Sequence, residues 1–205
     1  MQRMIPGVPW VGLTAVAGFV AVVLVALQIA GDGAQQVLRW DRAALQEFQL
    51  WRVWTGHLVH ASWPHLGMNL LGLVLVAWLF PEPLSARWQL LRLMWLMLFI
   101  SVVMLAAHPE LGWYVGLSGV LHGAFVFGLW WMIRHGDRLA LLLLLGLIVK
   151  LGYEHYYGPI SSDEELIGVP VLTAAHSYGA LGAVLWIIMA SSWRWPRRLS
   201  NNPRP

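Results

Sequence analysis

Six stretches of the chain are apolar over most of their length and are separated by polar or mixed segments: residues 10–29, 65–80, 88–107, 113–133, 139–152 and 171–191. A helix that crosses the hydrocarbon core needs about 20 mostly apolar residues, because lipid offers no partner for exposed peptide groups. Each stretch is therefore predicted to be a membrane-crossing helix, with 65–80 and 139–152 the shortest. Arg3 ahead of the first stretch gives it the outline of a secretory signal. No small-x-small cleavage pattern follows it, however, and the run from Gln28 to Gly33 reads as a helix end, so a retained span is expected. The expected fold class is all-α: a polytopic membrane protein built as a bundle of six transmembrane helices. No internal repeat is visible, which weakens a secondary-transporter reading.

The connection between the first two stretches, residues 31–64, is too long for a simple turn. Its portion 41–54 mixes Leu45, Phe48, Leu50, Trp51 and Trp54 with charges, a composition suited to helical turns lying at headgroup level. The membrane domain is expected to span 1–196, followed by a polar tail at 197–205.

Composition agrees with lipid as the solvent. Of 205 residues 59% are hydrophobic and only 11% charged, whereas a soluble domain carries roughly 25% charged residues. The mean hydropathy is +0.63 and the isoelectric point about 9.7. The basic residues sit at segment ends rather than in a patch, so they report topology and no nucleic-acid partner is expected. With the N-terminus placed inside, nine Lys/Arg fall in inner segments and four in outer ones (Arg39, Arg42, Arg52 and Lys150). By the positive-inside rule both termini are expected to be cytoplasmic. The absence of cysteine excludes disulfides, thiolate metal ligands and a cysteine nucleophile.

Polar side chains inside spans are costly, and each calls for a reason. Those that point to chemistry are His65 and Asn69 in the second span, Ser118 and His122 in the fourth, and His176 in the sixth. These three spans all run from outside to inside, so residues near their starts share one depth toward the outer face. Ser118 lies just inside a helix start, where unpaired N–H groups favour an oxyanion. A serine needs an adjacent base to act as nucleophile, and His176 is the best placed by depth. Gly119 and Gly123 on one helix, and Ala175 and Gly179 on the other, form small-residue stripes that permit close backbone approach. His65 and Asn69 share a helix face, from which both can donate hydrogen bonds. No Asp or Glu lies within any of the six stretches. His60 is expected to brace its loop.

Taken together, these residues resemble the rhomboid family. Trp51-Arg52, then His60, His65 and Asn69, are similar to its WR and HxxxxHxxxN motifs; Gly116-Leu117-Ser118-Gly119 is similar to its GxSG motif; Ala175-His176-Ser177-Tyr178-Gly179 is similar to its AHxxG motif. The resemblance implies an intramembrane serine protease with a Ser118–His176 dyad and no acidic third member. It also implies an oxyanion site made by His65, Asn69 and the backbone N–H groups of Ser118 and Leu117, with His60, Gly116, His122 and Gly179 in support. No metal or cofactor is implied. His122 stands where many rhomboids carry a tyrosine packed on the catalytic histidine, and the glycines after His176 are Gly179 and Gly182 rather than two residues four apart. The stretch 113–123 with this histidine is similar to the rhombosortase branch. That similarity implies location in the bacterial inner membrane and trimming of exported proteins that carry C-terminal Gly-Gly-type membrane tails.

Three other readings compete. A membrane metalloprotease needs a ligand set such as HExxH, whereas His57 and His60 give only HxxH. A haem- or quinone-binding bundle has no use for Ser118 in its motif. A catalytically inactive relative serving as a binding or chaperone module is expected to lack the serine or the histidine, and both are present here.

Overall fold

A computed structural model describes residues 11–80, 82, 84–159 and 161–192; the expected tail at 197–205 and the basic residues Arg3 and Arg194 lie outside them. In chain order the elements are α1 (Val11–Ile29), α2 (Gly31–Leu38), β1 (Trp40–Asp41), α3 (Arg42–Gln46), α4 (Arg52–Thr55), α5 (Trp63–Leu79), α6 (Ala86–Ala107), β2 (Trp113–Tyr114), α7 (Ser118–Arg134), α8 (Leu139–Tyr157), α9 (Ser161–Ile167) and α10 (Ala174–Ser192). Each of the six apolar stretches contains a helix, and these pack around a common apolar core that includes Leu24, Leu96, Ile100, Met104, Val120 and Leu129.

Length and apolarity alone qualify fewer of them as spans. Among the described residues α6, α8 and α10 are long and apolar enough, and a fourth qualifies only if α1 and α2, bent by 115° at their junction, count as one span. The shortfall has a simple source. α5 and α7 have 17 residues each, about 25 Å of helix against a core about 30 Å thick. Two boundaries also differ from expectation. The fourth stretch does not enter its helix at residue 113: Trp113–Tyr114 instead pairs antiparallel with Trp40–Asp41. The fifth does not stop at 152 but continues to Tyr157, ending at Gly158 with φ +78°.

Local signals account for several helix starts. Ser62 caps α5 by accepting from the His65 amide at 3.3 Å, and Pro64 occupies its first turn, where the missing N–H costs nothing. Asp41 caps α3 through the Ala44 amide at 3.2 Å.

The long connection is a folded platform. Arg52 is buried and its Nη1 donates to the carbonyls of Gln36 and Arg39 at 2.9 and 2.8 Å. Arg42 reaches across to the C-terminal end of α6, donating to the Met104, Leu105 and His108 carbonyls at 3.2, 3.3 and 2.7 Å and to that of Leu111 beyond it at 3.0 Å. That is a cation at a helix C-terminus, where the macrodipole favours it. Phe48, Leu50 and Trp51 stay exposed, as suits side chains meeting lipid headgroups.

The tightest packing is between α7 and α10. A Cβ added at Gly119 would meet the Ala175 carbonyl oxygen at 2.7 Å, and one at Gly179 would overlap the Gly119 carbonyl. The two backbones are thus in direct contact along the small-residue stripes. Gly179→Ala is therefore expected to lower the unfolding free energy in micelles by at least about 1–3 kcal/mol, the range for overpacking. Gly18→Ala, where an added Cβ meets nothing within 4 Å, is expected to leave it unchanged or slightly raised.

Candidate active site

Ser118 is the first residue of α7. Leu117 before it (φ −85°, ψ −9°) supplies no side-chain cap, so the amide groups of this turn are not consumed within the helix. Gly116 takes φ +117°, and a Cβ there would lie 2.7 Å from Cε1 and Nε2 of His65. Glycine is thus required twice over: by the backbone turn into α7 and by the imidazole seated against it. The Gly116 amide donates to the Gly56 carbonyl at 3.1 Å, fixing this turn to the platform.

His176 lies in the first turn of α10, buried, with Nε2 3.0 Å from Ser118 Oγ. Its Nδ1 is 2.9 Å from Glu154 Oε2 and 3.5 Å from Lys150 Nζ. Nδ1 cannot donate to the carboxylate and accept from the ammonium at once, and the shorter contact decides: it carries the proton and donates to Glu154. Lys150 instead reaches Glu154 Oε1 at 2.7 Å. Nε2 is then bare, and the serine hydroxyl donates to it.

His122, one turn along α7, stacks on His176 with ring centroids 4.2 Å apart and planes at 16°. Its Nδ1 donates to the Ser118 carbonyl at 2.8 Å, which holds the ring flat against its neighbour. His65 accepts from the Ala61 amide at Nδ1 over 3.4 Å, so its proton sits on Nε2, the atom facing Gly116. Asn69 donates from Nδ2 to the His65 carbonyl at 3.0 Å, while its Oδ1 is buried without a partner. Leu117 is buried and walls an apolar cavity between α1, α5, α6 and α7. Gly179 lies at the contact between α7 and α10 rather than beside the serine. Direct contacts therefore join Ser118, His176 and His122 with Glu154 and Lys150, and His65 lies against the adjoining turn. Asn69 is held by its own helix, one turn along from His65.

A model of the rhomboid domain matches residues 47–193. The chain belongs to the rhomboid family. Members of the family are serine proteases that act on transmembrane substrates within the bilayer. No curated protein matches the chain.

For a rhomboid the site holds one unexpected member. The acid absent from the six predicted stretches is Glu154, which α8 carries inward because that helix runs five residues further than its apolar run. Glu154, His155 and the tyrosines beside them fall past the end of the fifth stretch and read as an outer loop because they are polar. The available signal was the Lys150/Glu154 spacing of four followed by Gly158, a helical ion pair and a helix stop.

His122, Glu154 and His176 each offer a ligand atom within 4.8 Å of the others, yet stacked imidazoles point their lone pairs in parallel planes. Both nitrogens of His176 are also already engaged, so an ion would have to displace either the Glu154 contact or the serine contact. Nor do His57 and His60 form a pair. His57 faces the Met97 carbonyl and Ser101, each at 3.1 Å, whereas His60 meets His65 edge-on with centroids 4.9 Å apart.

Burial holds both of these loop histidines neutral, pushing His57 down to about 4 and His60 down to about 3. Their unfolded counterparts take up protons near 6.5, so below that pH the unfolded state binds more protons and stability falls toward about pH 4. Unfolding free energy measured in micelles is expected to be flat above pH 7 and to drop on acidification, by about 2 kcal/mol per histidine at pH 5. His60→Gln is expected to make that slope shallower.

Proposed function

We propose that this rhomboid is an active intramembrane serine endopeptidase with Ser118 as nucleophile and His176 as general base. The observation that carries this reading is the 3.0 Å contact between Ser118 Oγ and His176 Nε2 at the N-terminus of a helix. In the acylation step the hydroxyl proton moves to Nε2 while Oγ bonds the scissile carbonyl carbon, and the carbonyl π pair moves onto oxygen. The imidazolium then gives that proton to the leaving amine as the C–N bond breaks. Water, deprotonated by the same nitrogen, hydrolyses the resulting ester.

The oxyanion is assigned to the backbone N–H groups of Ser118 and Leu117 and to the side chains of His65 and Asn69. The Nε2 proton of His65, facing Gly116, supports its membership. Asn69 already donates one amide hydrogen and keeps a second free. His122 takes the place of the family's packing tyrosine, holding the His176 ring by its flat face. The chain is assigned six spans, both termini cytoplasmic, and residence in the bacterial inner membrane, with the site toward the outer face. The basic residues at inner segment ends support that orientation. The substrates are assigned as exported proteins bearing C-terminal Gly-Gly-type membrane tails, on the strength of residues 113–123.

Co-expression with a Gly-Gly-tailed exported protein, followed by mass spectrometry of the product C-terminus, tests the reaction and the substrate class together. Cleavage is expected with the wild type, and none with Ser118→Ala or His176→Ala at normal membrane levels. Full residual activity in Ser118→Ala sinks the reading. Asn69→Ala is expected to slow turnover by about 10²–10³-fold without abolishing it, the usual value of one oxyanion donor. An unchanged rate removes Asn69 from the site.

A further inference from the structure

α8 is the least buried of the three long helices, and its buried residues are Ala140, Leu147 and Glu154. Their spacing of seven defines one inward stripe, two turns per step. Two of the three are small or apolar, as a packing stripe requires, and the third is a carboxylate. An acidic side chain on the inward stripe of a lipid-facing helix is costly unless it is partnered. Here both of its oxygens are engaged, Oε1 by Lys150 Nζ at 2.7 Å and Oε2 by His176 Nδ1 at 2.9 Å. Both contacts are short and charge-assisted.

The groups facing His176 come from three helices: Ser118 and His122 from α7, Lys150 and Glu154 from α8, and His65 from α5. His122 meets the ring face, and Ser118 meets Nε2. Glu154 engages Nδ1 and so decides which nitrogen carries the proton. If Nε2 carried it, the imidazole would present a donor to Ser118 and could not accept the hydroxyl proton. Glu154 also becomes the nearest counter-charge when His176 is protonated, and Lys150 holds the carboxylate in place through Oε1.

We propose that Glu154 is a positioning residue for this reaction, completing a Ser118–His176–Glu154 relay in which the carboxylate fixes the His176 tautomer and stabilises the imidazolium, with Lys150 as its counter-ion. No proton passes to Glu154. The single proton in transit goes from Ser118 Oγ to His176 Nε2 and on to the leaving amine, while the Nδ1–H stays on the ring. This proposal rests on Ser118 and His176 acting as assigned above.

The test compares wild type, Ser118→Ala, Glu154→Gln and Glu154→Asp, purified in detergent, on one transmembrane substrate. For Glu154→Gln, kcat is expected to fall at least about 100-fold, since disturbing the histidine tautomer in soluble Ser-His-Asp enzymes costs about 10⁴. KM is expected to stay within about twofold, because Glu154 is buried behind His176, on the nitrogen away from Ser118. Labelling of Ser118 by a fluorophosphonate is expected to slow in parallel, and Glu154→Asp is expected to recover at least tenfold over Gln by restoring the charge. A merely structural tie between α8 and α10 would instead lower the thermal midpoint and leave kcat of the folded fraction intact. That result overturns the proposal, as does wild-type kcat in Glu154→Gln.

A second measurement needs no variant to fold. In ¹⁵N-histidine spectra of the wild-type protein at pH 8, His176 is expected to carry its proton on Nδ1. A proton on Nε2 overturns the relay. Activity retained in Ser118→Ala ends the assignment of Ser118 and the relay with it. A dead Ser118→Ala beside a fully active Glu154→Gln ends only the relay.

Discussion

α7 and α10 approach until the backbone at Gly119 touches that at Ala175 and Gly179, and the arrangement of the site follows from this closeness. Two helices separated by ordinary side chains hold their axes about 8–10 Å apart, and short groups on them, such as a serine hydroxyl, then reach little beyond their own helix. Because small residues line both faces, the first turns of α7 and α10 lie side by side. Ser118 and His176 meet at 3.0 Å without either side chain stretching. In a bilayer such contact is a sound way to hold helices, since lipid tails supply no hydrophobic drive toward association.

The outer platform acts on the same turn from the other side. The pairing of Trp40–Asp41 with Trp113–Tyr114 and the Gly56–Gly116 hydrogen bond fix the chain leading into Ser118. Arg42 and Arg52 anchor the platform by donating to backbone carbonyls rather than to acids, a use of arginine suited to a depth where charged partners are scarce. The helix carrying the serine therefore starts from a clamped position, and its first amide groups are presented from a rigid backbone. Preorganised donors of that kind need no rearrangement when charge develops near them.

Around His176 the partners come from different helices, and each restrains a different freedom of the ring. His122 meets its face, Glu154 takes Nδ1, and Nε2 is left to Ser118. A histidine so enclosed has little rotation left, and its tautomer follows from what surrounds it. His57 and His60 sit in neighbouring surroundings of a different sort, buried and without a carboxylate, and remain neutral there.

Read alone, the residue order told a good deal. Apolar run length located the six helical stretches, the small-residue stripes forecast the close contact of α7 with α10, and the polar residues at one depth singled out His65, Asn69, Ser118, His122 and His176. These features are local, carried by composition and by spacing along one helix, so they can be read in a string of letters. The tertiary structure decided what depends on distance between segments. It converted Trp113–Tyr114 from a helix start into a strand, because a partner strand at Trp40–Asp41 supplies its hydrogen bonds. It turned Asn69 toward its own helix. It also brought Glu154 to His176: polarity marks residues 153–157 as loop, whereas packing of one inward stripe prolongs α8 and buries the single acid on that stripe. Hydropathy reports what each residue prefers on its own, and the choice of a buried carboxylate's partner is made by the neighbours that surround it.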